Sequence, residues 1–281
     1  MRIHHLNCGT MRPFGGRLID GTGGPLHRAE MVCHCLLIEH DSGLVLVDTG
    51  MGEQGVRRPA EWLGKPFLRL TNPVNAAAET AVRQVEKLGY RAEDVRDIVL
   101  THLDLDHAGG LADFPHATVH VYAEELRSLT SPRDFRERTR YRPIQFEHGP
   151  KWESYGDFGE DWFGFDAVRD LKGLPPEILI VPLAGHTRGH AGVAVDSGDG
   201  WLLNAGDSYF FHGQMDPVRP HRPVGLAAFE TFVQTVRGPR LENQRRLAEL
   251  VRDHRDEVTV FSAHSPVELR ALRRVAPSST S

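Results

Sequence analysis

The chain has 281 residues, is 40% apolar and 25% charged, and carries a formal net charge of −5, a balance that allows a full buried core. That charge gives no electrostatic reason to bind nucleic acid or an anionic membrane, and no run approaches the roughly 20 apolar residues needed to span a bilayer. The start, Met1-Arg2-Ile3-His4-His5-Leu6-Asn7-Cys8, lacks the apolar stretch of a secretory signal, so a cytoplasmic location is expected.

Cys8, Cys33 and Cys35 lie near the start and are odd in number, which reads as reduced thiols rather than a disulfide framework. The alternation within Met31 to Ile38 favours a strand with small half-buried side chains over a metal role for Cys33-His34-Cys35. Cys33 to Glu39, the turn His40-Asp41-Ser42-Gly43, and Leu44 to Val47 form an expected hairpin ending in Asp48-Thr49-Gly50. Asn75 to Leu88 reads as a helix with Asn75 as cap, Ala78, Ala81, Val82 and Val85 on one face and Gly89 past its end. It leads into a strand, Val95 to Leu100, followed by Thr118 to Tyr122 and a helical start at Ala123 to Leu129.

From Ser131 to Gly173 the pattern breaks into a polar passage holding Phe135, Tyr141, Phe146, Trp152, Tyr155, Trp162, Phe163 and Phe165. Its aromatic density argues against disorder, leaving a lid over a substrate or a packing flap, and suggests an apolar pocket wall. A second β-rich block follows: Glu177 to Leu183, Gly192 to Val195 and Trp201 to Asn204, then helices at Leu226 to Val236 and Leu241 to His254, then Val258 to Phe261. Strands followed by helices in both halves point to an α+β fold, a four-layer αββα sandwich of two mixed sheets, in one domain over 1–275 with a frayed tail at 276–281.

Four motifs each follow an apolar strand-like run: His102-x-Asp104-x-Asp106-His107 before Gly109-Gly110, then Gly185-His186-Thr187-Arg188-Gly189-His190, Ala205-Gly206-Asp207-Ser208, and Ser262-Ala263-His264. Imidazoles and carboxylates at strand ends can converge on one edge of the sheets, as a metal site requires. His190 is expected to orient the site, and His4, His5, His116, His120, His212 and His221 have no ligand spacing.

With the Asp48-Thr49-Gly50 turn, these motifs resemble the metallo-β-lactamase-fold hydrolases, the group of glyoxalase II and the acyl-homoserine lactonases, over nearly the whole chain. The resemblance implies one divalent metal held by His102, Asp104 and His186, a second by Asp106, His107 and His264, and Asp207 bridging them. The usual pattern has a histidine where Asp104 stands. A carboxylate there is a harder donor, so iron or manganese stand beside zinc, and it resembles the flavodiiron proteins, which carry a glutamate. The activity implied is attack by metal-bound hydroxide, oriented by Asp106, on a small-molecule lactone or carboxylic ester. Two other readings stay open: a hydroxyacyl-thioesterase, and a diiron redox enzyme served by a separate reductase. Tyr209, shortly after Asp207, is a candidate to bind the substrate carbonyl, with packing as the competing reading. Arg12 to Arg17 is expected to line the site or a homodimer interface.

Overall fold

The computed structural model describes residues 1–41, 43–156, 159–168 and 171–275. Long apolar runs become two sheets whose facing sides are both covered. Strands β1 (Arg2–Met11), β2 (Met31–His40), β3 (Gly43–Val47), β4 (Val95–Val99), β5 (Thr118–Tyr122) and β6 (Lys151–Tyr155) lie side by side in chain order. The pairings β1·β2 and β2·β3 are antiparallel and the rest of that sheet is parallel. After the small hairpin β7 (Glu160–Trp162) and β8 (Phe165–Ala167), the second sheet runs β12-β11-β10-β9 across, from β9 (Ile178–Pro182), β10 (Ala191–Asp196), β11 (Trp201–Asn204) and β12 (Val258–Phe261).

Three cores correspond to the three gaps of an αββα sandwich. Leu36, Ile38, Val45, Val47 and Val99 of the first sheet meet Ile178, Ile180, Val193 and Val195 of the second. Leu37, Leu46 and Ile98 face the other way, packed with Trp62, Val82, Val85 and Leu226. Leu179, Val181 and Leu203 pack under Leu247 and Leu250 of the helix Arg237–Asp253. A sheet covered on both faces tolerates continuous rather than alternating apolar sequence. Cys33 and Cys35 are accordingly free and fully buried, where half-burial was expected.

Several boundaries differ from the sequence reading. The helix expected from Asn75 begins at Ala81: Ala77–Glu79 is a single 3₁₀ turn, and extended Thr80 spends its hydroxyl on the Ala77 carbonyl. Ala81, Val82 and Val85 are buried as expected, whereas Ala78 is exposed. The two late helices run Val224–Val233 and Arg237–Asp253, separated by a short extended link. There the backbone N–H groups of Thr235 and Val236 donate to the carbonyls of Gly185 and His186, and this tertiary demand ends the helix. Short helices Gly52–Arg57, Pro59–Trp62 and Lys65–Thr71 and the final helix Pro266–Val275 were not anticipated.

The 131–173 passage is divided among different parts of the fold. Its helix Phe135–Arg140 borders the cavity described below, β6 extends the first sheet, and Trp162 and Phe165 join the core outside the second. The tail at 276–281 and Ser42 of the hairpin turn fall outside the described residues. No described helix is long and apolar enough to cross a membrane.

Candidate metal centre

Strand ends deliver the chemistry. His102 to His107 follow β4, Gly185 to His190 connect β9 to β10, Asp207 follows β11 and His264 follows β12. Asp48, at the end of β3 with a φ of +57°, ties this edge together. It accepts the backbone N–H and the hydroxyl of Thr101, each at 2.8 Å, and lies 2.9 Å from His107 Nδ1. His107 therefore turns Nε2 toward the centre. His264 does the same, because its Nδ1 donates to the Val32 carbonyl at 2.7 Å and a carbonyl can only accept.

His190 takes the orienting role expected of it. Its Nδ1 donates to the Leu183 carbonyl, and its Nε2 accepts the backbone N–H of Asp207 at 2.9 Å. Gly206 makes that approach feasible: at φ +52°, a Cβ there would lie 2.5 Å from His190 Nε2.

Around Asp207 the expected ligands form two groups. Its Oδ1 is 3.2 Å from His107 Nε2 and 3.0 Å from His264 Nε2, with Asp106 Oδ2 3.6 Å from that same His264 nitrogen. Its Oδ2 is 3.2 Å from His186 Nε2 and 3.9 Å from His102 Nε2. Donor atoms of His102, His186 and Asp207 lie within 4.8 Å of one another, and so do those of His107, Asp207 and His264. Burial alone would raise the Asp207 pKa, but His264, His107 and His186 hold it well below the usual carboxylate range. Burial alone would lower His107, but Asp207 and Asp48 carry it well above the ordinary histidine value.

His102 Nε2 and Asp207 Oδ1 are both buried without a hydrogen-bond partner. An unpaired buried polar atom is costly, and a divalent cation held in the group to which each atom belongs would satisfy it, so the residues fit a metal. Asp104 reaches the same place differently. Its Oδ2 is 3.0 Å from His186 Nε2 and 3.4 Å from His102 Nε2, yet both its oxygens accept from Arg140, at 2.6 and 2.5 Å.

Sequence reasoning missed several participants. Arg140 carried no signal beyond being one of six arginines in the 131–173 passage. Glu125, fully buried, accepts from the Leu103 N–H, the Tyr141 hydroxyl and the Thr187 hydroxyl, and so joins both histidine loops to the helix Ala123–Thr130. The Cys33 thiol, for which a strand packing role was favoured over a metal role, lies within 4.8 Å of donor atoms of Asp106 and His264, and burial pushes its pKa up.

Tyr209 requires a correction. It is fully buried in the core beneath the second sheet, and its hydroxyl donates to Glu268 Oε1 at 2.9 Å, so it does not reach the reaction space. The neighbouring Phe210 faces that space instead, stacked on His264 with ring centroids 5.2 Å apart.

A cavity of about 610 Å³ opens over Asp104, Asp106, His186, Asp207 and His264. Its apolar wall comes from Phe14, Phe67, Phe210, Phe229 and Phe232, with Met11, Met31 and Leu226. None of the described aromatics of the 131–173 passage lines it: Tyr141, Phe146, Trp152, Trp162 and Phe165 are used as packing, Phe135 is exposed, and the passage contributes Arg136, Thr139 and Arg140. Pro13 and Phe14 of the N-terminal segment do line the site.

The family model of the metallo-beta-lactamase superfamily matches residues 28–264. A probable metallo-hydrolase of Mycobacterium tuberculosis is 44% identical over 95% of this chain and 81% of its own length. An N-acyl homoserine lactonase of Agrobacterium fabrum is 25% identical over 95% of this chain and 94% of its own. Among solved structures, an N-acyl homoserine lactone hydrolase with N-hexanoyl-L-homoserine bound at its catalytic metal centre superposes with a TM-score of 0.67 at 19% identity, covering 96% of this chain and 95% of that one. At that identity the likeness shows the fold.

Proposed function

The chain belongs to the metallo-β-lactamase superfamily and is a metallo-hydrolase, and from that premise we propose that it opens a small-molecule lactone or cleaves a carboxylic ester at a dinuclear centre. The ligands in this reading are His102, Asp104 and His186 on one side, Asp106, His107 and His264 on the other, and Asp207 between them. The observation that carries it is the grouping of these donors at the floor of a cavity walled by phenylalanines. Such a pocket suits an acyl or ring-bearing organic substrate with one polar reacting end.

Divalent ions held there would supply Lewis acidity and a water whose pKa falls from 15.7 to about 7. Asp106, whose carboxyl burial pushes up, would accept a hydrogen bond from the attacking water and receive its proton at a carboxylate oxygen. Phe210 and Phe229 keep bulk water off the reacting end, which strengthens every charge interaction inside. Asp106→Ala is expected to lower turnover by orders of magnitude at full metal loading. Zinc fits the imidazole-rich donor set, and the oxygen donors Asp104, Asp106 and Asp207 keep iron or manganese beside it.

Proton release against lactones, linear esters and thioesters, with His102→Ala as blank, tests the reading. Turnover of lactones or esters that the blank lacks supports it. Selective thioester turnover replaces the bond proposed with a hydroxyacyl-thioester, and silence across the panel, answered by phosphoester hydrolysis or oxygen reduction, overturns it.

A further inference from the structure

The guanidinium of Arg140 sits where half of the metal centre would be. Its Nε and Nη2 form a two-pronged pair with Asp104, Nη2 lies 2.7 Å from His186 Nε2, and Nη1 donates to the Val233 carbonyl at 2.7 Å. The side chain is only 16% exposed, so this is a seated group and not a passing surface contact. The helix that carries it, Phe135–Arg140, is fastened to the loop that delivers His186: Arg188 of that loop pairs with the buried Glu137 at 2.9 Å. Asp134 caps the same helix by accepting the Glu137 N–H.

Arginine remains protonated at any ordinary pH, and its planar fork matches a carboxylate. In this arrangement both oxygens of Asp104 accept N–H groups, and the one ring nitrogen that His186 turns toward the centre faces a third. Those are two of the three ligands of one half of the site. A divalent ion there would meet a permanent positive charge at contact distance and would have to compete for lone pairs already engaged. The other half carries no such cation: His107, His264, Asp106 and Asp207 surround a space in which Asp207 Oδ1 has no hydrogen-bond partner. A neutral histidine in place of Asp104 would offer the guanidinium neither a negative charge nor a pair of oxygens matching its fork, so the aspartate and the arginine explain each other.

We infer that Arg140 is a built-in cation of this centre: it holds the Asp104–His186 half, so the chain binds one divalent ion firmly among Asp106, His107, His264 and Asp207, and a second only by displacing the guanidinium. This rests on the metal-centre reading above. It concerns how the two halves differ, which that reading leaves equal.

The test is calorimetric titration of the metal-stripped full chain with zinc and, separately, manganese, together with metal content after dialysis. Neither readout depends on substrate. The wild type is expected to retain one ion and to take up the second in a separate, weaker step. In Arg140→Gln the second step strengthens by about ten- to a hundredfold, the scale of changing a partner that holds a metal ligand. Arg140→Lys, which keeps the charge and loses the fork, falls between. If Arg140→Gln fails to fold, the two steps of the wild type still decide. Two ions bound with equal affinity by the wild type would overturn this inference and leave the dinuclear hydrolase standing. No ion bound at all would overturn both.

Discussion

Tyr209→Phe separates packing from catalysis at the position where sequence and structure disagree. The substitution removes one hydroxyl from a fully buried ring and leaves its apolar body in place, so no cavity opens. What is lost is the 2.9 Å bond to Glu268, a carboxyl that burial pushes from 4.5 to about 7 and that also accepts from the Ser262 N–H. Above pH 7 the acceptor is charged and its loss costs about 2 kcal/mol; at pH 5.5 it is largely protonated and the loss falls to about 1 kcal/mol. Urea denaturation at pH 8 and pH 5.5 reads this difference, and turnover of the best ester or lactone at full metal loading reads catalysis. The expected result is a stability loss larger at the higher pH with kcat unchanged. A tenfold or greater fall in kcat with unaltered stability would refute the placement of the hydroxyl and restore the carbonyl-binding role.

Asp48→Asn replaces an acceptor that serves Thr101 twice and His107 once with an amide that must turn an N–H toward one of them; metal affinity, read by chelator competition, should fall about ten- to a hundredfold. Glu125→Ala leaves three buried donors without an acceptor and should cost about 4 kcal/mol in chemical denaturation, while Glu125→Gln should recover more than half of that. Burial, then Arg273 and His4, lowers His5 from 6.5 to about 4, so its contribution is complete above pH 6.5 and is lost as pH falls through about 4, amounting to roughly 3 kcal/mol. Glu268 slopes the opposite way, because its raised pKa makes stability decline as pH rises from 4.5 to about 7. Measured against the wild type at each pH, the stability of His5→Gln should therefore improve toward acid and that of Glu268→Gln toward neutral pH.

What was legible in the sequence is what is local. Each proposed ligand motif is a few consecutive residues at the end of one apolar strand, so spacing alone brought His102, Asp106 and His107 into view, and the strand order supplied the αββα layers. The cavity wall was not legible because Phe14, Phe67, Phe210 and Phe229 come from four separate parts of the chain, whereas Tyr141, Phe146, Trp152, Trp162 and Phe165, clustered in sequence between 131 and 173, are used for packing. Tyr209 and Phe210 show how narrow the margin is: these neighbours lie in the loop after β11, one in the core and the other on the cavity wall, so a slip of one residue exchanges a core ring for a cavity ring. The helix boundary at Val233 was missed for a related reason, since apolar periodicity continues through Val236 while the backbone there is taken by Gly185 and His186.

Asp104 is the sharpest case. The sequence shows that a negative charge replaces a neutral ligand, and from that alone a harder metal follows, because the charge needs a cation. The fold supplies another cation from 36 residues away, on a helix tied to the His186 loop. A departure from a ligand pattern thus identifies a charge to be balanced without naming its partner. Metal ion and guanidinium both balance it, and they differ in one measurable way: the ion can be stripped and titrated, while Arg140 still faces Asp104 once the metal has been removed.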